Sequence, residues 1–97
     1  MLKNLSTNDS FEDIVKEGVW LVDFYATWCG PCKMLGPVLE EFSKNNSVLK
    51  VDVDQFSELA SRFGIMSVPT LLVFKNGSLI KTDIGYKSLE ELENLIK

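Results

Sequence analysis

Histidine is absent from the 97 residues, and cysteine occurs only twice. A structural zinc site draws four ligands mainly from Cys and His, so an intramolecular Cys/His site is excluded and only carboxylates could complete a metal site. Basic residues are also few: ten Lys plus Arg stand against fourteen Asp plus Glu, for a net charge of −4. Phosphate binding needs a basic patch, and with none visible a nucleic-acid partner is not expected. The acidic residues run from Asp9 to Glu93 rather than gathering in a tail, as on a charged surface that keeps a small protein in solution.

Long apolar runs are missing too. The opening MLKNLSTNDS has no apolar stretch behind a basic segment, so it does not read as a signal peptide. No segment approaches the length of a membrane span. The expected location is therefore cytoplasmic, where thiols are kept reduced and a close cysteine pair is more often catalytic or metal-binding than structural. Repeats, low-complexity tracts and linkers are absent, which predicts a single domain over residues 1–97. With 45% hydrophobic residues, such a chain can build a core without crosslinks.

What is present is a regular succession of apolar segments and short punctuation. Leu2 to Leu5 reads as an edge strand. Asn8-Asp9-Ser10 offers capping side chains ahead of Phe11, Ile14 and Val15, the spacing of a short helix that ends near Gly18. The run VWLVDFY, Val19 to Tyr25, is apolar on both faces and suits a central buried strand. After Pro31 a helix is predicted with Met34, Leu35, Val38, Leu39 and Phe42 on one face, kinked at Pro37 and ended by Asn45-Asn46. Val48 to Asp54 alternates like a strand, and Phe56 to Phe63 forms a short helix stopped by Gly64. Asn76-Gly77 is a strong hairpin signal that pairs Thr70–Lys75 with Ser78–Ile84. Ser88 and Glu91 form a capping box at the start of a last helix through Leu89, Leu92 and Ile96.

The order β-α-β-α-β-α-β-β-α predicts an α/β protein with a central mixed β-sheet flanked by helices on both faces. Strands two and three are expected to run parallel, with the hairpin as antiparallel edge. In such sheets functional sites gather beyond the carboxyl ends of central strands. That is where VWLVDFY leads into Cys29-Gly30-Pro31-Cys32.

Two thiols at this spacing can close a disulfide with little backbone movement. Pro31 suits a first helical turn, which places Cys29 at the helix N-terminus. Unpaired N–H groups and the helix dipole favour an anion there, so Cys29 should ionise more readily than a free cysteine, and only a thiolate attacks a disulfide. Cys32, one turn further on, is expected to be the more buried thiol and to resolve the mixed disulfide. Neither Gly30 nor Pro31 adds a thiolate-stabilising charge, which favours a reductant over a disulfide donor; Lys33 is a neighbouring cation. A purely structural disulfide across so short a loop would restrict the unfolded chain little.

TWCGPCKM resembles the active site of the thioredoxin family, and Ser67-Val68-Pro69-Thr70 resembles its cis-proline loop. The likeness continues through Pro37, Asp52-x-Asp54, Phe74-Lys75-Asn76-Gly77 and Ile84-Gly85 in the family's order. It implies the thioredoxin fold and a monomeric protein-disulfide reductase with no bound cofactor. It also implies disulfide-containing target proteins and recharging by thioredoxin reductase, an NADPH-dependent flavoenzyme.

Asp23 interrupts an apolar strand, where burial without a partner would raise its pKa. By resemblance it is the buried acid that accepts the Cys32 proton, directly or through water; an outward-facing strand carboxylate is the alternative. Lys50 resembles the family's lysine near that acid, although a solvated strand lysine fits the pattern nearly as well. The resemblance assigns a target-facing surface to Trp28, Gly30, Pro31, Val53, Ser67, Val68, Pro69, Ile84, Gly85 and Tyr86. For Trp28 the alternative is a core aromatic. A cis Val68-Pro69 peptide would leave a backbone edge free for an extended target. Ser67 and Tyr86 stand where many members carry smaller residues, and Tyr25 replaces a common Trp or Phe. The rival from another class is a non-catalytic thioredoxin-like binding module or carrier subunit, which would have no need to keep both thiols.

Overall fold

A computed structural model describes residues 1–97. Its elements are β1 (Leu2–Asn4), α1 (Phe11–Val15), β2 (Val19–Tyr25), α2 (Gly30–Phe42), β3 (Ser47–Asp52), α3 (Ser57–Arg62), β4 (Thr70–Lys75), β5 (Ser78–Ile84) and α4 (Leu89–Leu95). The strands form one mixed five-stranded sheet in the order β1-β3-β2-β4-β5. β3 runs parallel to both β1 and β2, β4 is antiparallel to β2, and β5 is antiparallel to β4. The expected mixed sheet is present, with one refinement. β4 lies inside the sheet against β2, so only β5 of the hairpin is an edge.

With hydrogen-bonded neighbours on both sides, β2 is buried from Trp20 to Phe24. Its side chains alternate between two cores, as the pleat requires. On one face Trp20, Val22 and Phe24 pack with Leu49, Val51, Leu72 and Phe74 beneath Phe11 and Val15 of α1 and Ala60 of α3. Within that layer the rings of Phe11 and Phe63 each meet Phe74 edge to face, at centroid distances of 5.4 and 5.6 Å, a favoured aromatic geometry. On the other face Leu21, Val48, Leu71 and Val73 lie under Leu35, Leu39 and Phe42 of α2 and Leu92 of α4. Helices thus cover both sides of the sheet.

Local chemistry explains several element ends. The Ser10 hydroxyl accepts the Asp13 N–H and starts α1. Asn76 and Gly77 adopt φ of 49° and 84°, the positive values a tight type I′ hairpin turn demands. Ser88 and Glu91 exchange both hydrogen bonds of the capping box, at 3.0 and 3.2 Å. β3 stops at Asp52, two positions short of the predicted Asp54, because the Asp52 carboxylate accepts the Asp54 N–H at 2.9 Å and turns the chain.

In α2 the buried set is Cys32, Leu35, Leu39 and Phe42, spaced by three and four as on a single helical stripe. Met34, predicted to share that face, is instead 66% exposed, since one residue rotates the side chain by about 100°. Pro37 lies inside a helix that continues to Phe42.

Candidate active site

Beyond the carboxyl end of β2, Ala26, Thr27 and Trp28 carry the chain to Cys29, the N-cap of α2. Cys29 and Cys32 are joined as a disulfide with Cα atoms 5.2 Å apart. The Cys32 N–H donates to the Cys29 sulfur at 3.1 Å, so Cys29 satisfies one of the amides that a helix start leaves unpaired. Pro31 occupies the first turn, as the sequence indicated.

Both cysteines are 5% exposed. The expectation that Cys32 would be the more buried does not hold for this oxidised form. The reason is the loop before β4, whose Val68 carbonyl oxygen lies 3.7 Å from the Cys29 sulfur and covers it. The Val68-Pro69 peptide is cis. The Thr70 hydroxyl donates to the Ser67 carbonyl at 2.6 Å, and the Gly85 N–H donates to the Pro69 carbonyl at 2.8 Å. These bonds tie the end of β5 to the cis-proline loop, and the Val68 carbonyl brings that loop, with Ser67, Pro69 and Gly85, up to the disulfide. Ile84 and Tyr86 flank Gly85 and are exposed, as are Gly30 and Pro31.

Trp28 is no core aromatic. It is 68% exposed, and its indole N–H donates to the Asp54 carboxylate at 2.9 Å. With Val53, Ile65, Met66, Ser67 and Val68 it lines an apolar groove of about 330 Å³. Met66, at 96% exposure, had not been singled out from the sequence, nor had Asp54 as the partner of Trp28. No local signal joins positions so far apart in the chain.

On the sheet face under α2, Asp23 is 1% exposed, and neither carboxylate oxygen has a hydrogen-bond partner. Burial pushes its pKa up to about 7, against the opposing field of Lys50, its register partner on β3. The outward-facing alternative for Asp23 is thereby removed. Lys50 is not a freely solvated lysine either, because its ammonium sits 4.6 Å above the centroid of the Tyr25 ring. Tyr25, Cys32, Lys33 and Lys50 line a second cleft of about 310 Å³. No set of three or more Cys, Asp and Glu side chains converges as a metal site, and no helix is long and apolar enough to cross a membrane.

Residues 3–97 match the family model described as Thioredoxin. The chain belongs to the thioredoxin family. It is 46% identical over 95 residues to thioredoxin of Bacillus subtilis, covering 94% of this chain and 91% of that protein. It is also 46% identical over 100 residues to thioredoxin of Listeria monocytogenes, covering 99% and 96% respectively. Among solved structures, a mutant thioredoxin from Halobacterium salinarum superposes with a TM-score of 0.90 at 37% identity, covering 98% of this chain and 87% of that one. Plasmodium falciparum thioredoxin gives 0.87 at 40% identity, with coverage of 97% and 95%. The fold is the thioredoxin fold. Together with the paired cysteines, this membership makes the chain a thiol–disulfide oxidoreductase with protein-disulfide reductase activity at Cys29 and Cys32. Its substrates as a thioredoxin-family reductase are disulfide-containing targets, and nothing favours a non-catalytic carrier.

Proposed function

We propose that Cys29 is the attacking thiol and Cys32 the resolving one, with Asp23 accepting the Cys32 proton. The observation that carries this assignment is the N-cap position of the Cys29 sulfur, which receives the Cys32 N–H. After reduction the same amide and the positive end of the helix dipole face a thiolate on Cys29. That thiolate attacks one sulfur of the target disulfide, forming a Cys29–target bond and releasing the other target sulfur as a thiolate. Cys32 then gives its proton to Asp23 and attacks the Cys29 sulfur. The intramolecular disulfide closes and the second target sulfur leaves with the bonding pair. Two electrons and, after protonation from water and Asp23, two protons pass to the target. Asp23 is suited to the transfer because burial brings its ionisation close to neutral pH, and Lys50 supplies the one opposing positive charge.

Trp28, Gly30, Pro31, Val53, Ser67, Val68, Pro69, Ile84, Gly85 and Tyr86 form the target-facing surface in this reading, supported by the groove beside Trp28 and the exposed residues next to the disulfide. The reading extends to a single-domain cytoplasmic monomer with no bound cofactor, recharged by an NADPH-dependent thioredoxin reductase. Support comes from the one sheet shared by all strands and from the need for a reducing supply to regenerate the dithiol.

The test is to incubate Cys32→Ser and Cys29→Ser separately with an oxidised protein substrate, quench in acid and run non-reducing gels. Only Cys32→Ser should accumulate a covalent complex, and equal trapping by both variants overturns the assignment. The wild-type chain should also reduce insulin with NADPH and thioredoxin reductase; failure there removes the proposed electron source.

A further inference from the structure

Asp23 and Tyr25 are two residues apart on β2, so their side chains emerge on the same face of the sheet. Across the ladder they face Lys50 and Asp52 of β3, in register. No ion pair joins Lys50 to Asp23, whose oxygens both lack a partner. The ammonium lies instead over the Tyr25 ring, 4.6 Å from its centroid. A cation at that distance from a ring face is held by the ring quadrupole, and more strongly where water is partly excluded. The Tyr25 phenol remains neutral and a competent host, because burial, Asp52 and Asp23 all oppose its ionisation. Ring, ammonium and Cys32 border one cleft.

We propose that Tyr25 is a positioning residue: its ring parks the Lys50 ammonium at the cleft shared with Cys32, close to where negative charge moves between Asp23 and Cys32 during resolution. This inference rests on the reading of Asp23 as the proton acceptor. In that step the Cys32 S–H bond breaks, its proton goes to the Asp23 carboxylate, the Cys32–Cys29 bond forms and the Cys29–target bond breaks. The anion therefore lies first on Asp23 and then on sulfur, and a fixed cation nearby lowers the cost of both.

The other groups around Asp23 leave this task to Lys50. From β4 its register partner is Leu71, which is uncharged. From α2 come Cys32 and Lys33 on the cleft wall, and from β3 comes the carboxylate of Asp52 beyond Lys50. Of the two lysines, only Lys50 exerts an effect on the ionisation of Asp23. Without the ring its flexible stem would carry the ammonium out of the open cleft into water, leaving burial of Asp23 less opposed.

The test follows the Asp23 carboxyl by NMR across pH in the oxidised chain, where Cys29 and Cys32 do not titrate. Tyr25→Leu should move the Asp23 midpoint to higher pH by about half a unit. Tyr25→Phe, which keeps the ring, should hold the wild-type midpoint. In a Lys50→Met background the Leu substitution should add nothing. An unchanged midpoint in folded Tyr25→Leu, or an equal shift in the Lys50→Met background, overturns the proposal. If Tyr25→Leu does not fold, the wild-type chain still decides: the Lys50 ε-methylene protons should be shifted upfield by the ring, and ordinary lysine shifts refute the placement.

The functional arm is the pH profile of insulin reduction, whose rise should move with the NMR midpoint in Tyr25→Leu. An Asp23→Asn variant with an unaltered profile would instead sink the role of Asp23 itself, so the two failures are distinguishable.

Discussion

Replacing Asp23 with Ala should stabilise the oxidised protein by an amount that grows with pH. The carboxyl ionises at an ordinary value of 3.8 when solvated and at about 7 in the fold. Because the folded pKa is the higher, well below 3.8 the group is protonated in both states and contributes no difference. As pH rises between the two values, the unfolded chain releases a proton that the folded chain retains. Stability then falls by up to about 1.4 kcal/mol per pH unit and levels off above the folded pKa. The interval of roughly three pH units gives a penalty on the order of 4 kcal/mol at pH 8, large against the few kcal/mol that separate folded from unfolded states. Asp23→Ala lacks this penalty, and the small space left by its carboxyl adds an offset that does not vary with pH. Urea denaturation of both oxidised proteins between pH 4.5 and 8.5 reads the difference directly, with the cysteines silent as a disulfide. A stability difference that stays flat across this range would refute the burial of an unpartnered carboxyl at position 23.

Pro31→His should stabilise the Cys29 thiolate and raise the reduction potential, by roughly 30 mV for each tenfold change in the exchange equilibrium against glutathione. An unchanged potential would show that charge at the helix end does not control the couple. Asp54→Ala removes the acceptor that holds the exposed Trp28 indole; KM for a protein disulfide should rise several-fold, the equivalent of about 1 kcal/mol, while kcat moves less. Ser88→Ala breaks the capping box of α4 and should cost about 1 kcal/mol, lowering the melting temperature by roughly 4–8 °C with insulin reduction unaltered at 25 °C.

Features set by neighbours within one turn were legible in the chain alone. Asn76-Gly77 turns where only positive φ serves, Ser88 and Glu91 cap one another, and Pro31 starts the helix that Cys29 caps. Each depends on dihedral preferences or on hydrogen bonds within a few residues, so the order of helices and strands and the identity of the reactive pair could be read before any contact was known. Strand order could not, because the insertion of β3 between β1 and β2 and the pairing of β4 with β2 are choices among surfaces of similar apolarity. VWLVDFY is apolar on both faces, so its periodicity could not say which layer Asp23 enters, nor that α2 would seal it from water. The matched exposure of Cys29 and Cys32, the bond from Trp28 to Asp54 and the seat of Lys50 on Tyr25 all join segments that only folding brings together. Local spacing sets which backbone shapes are low in energy; burial, and with it the raised pKa of Asp23, exists only once the sheet and helices have excluded water.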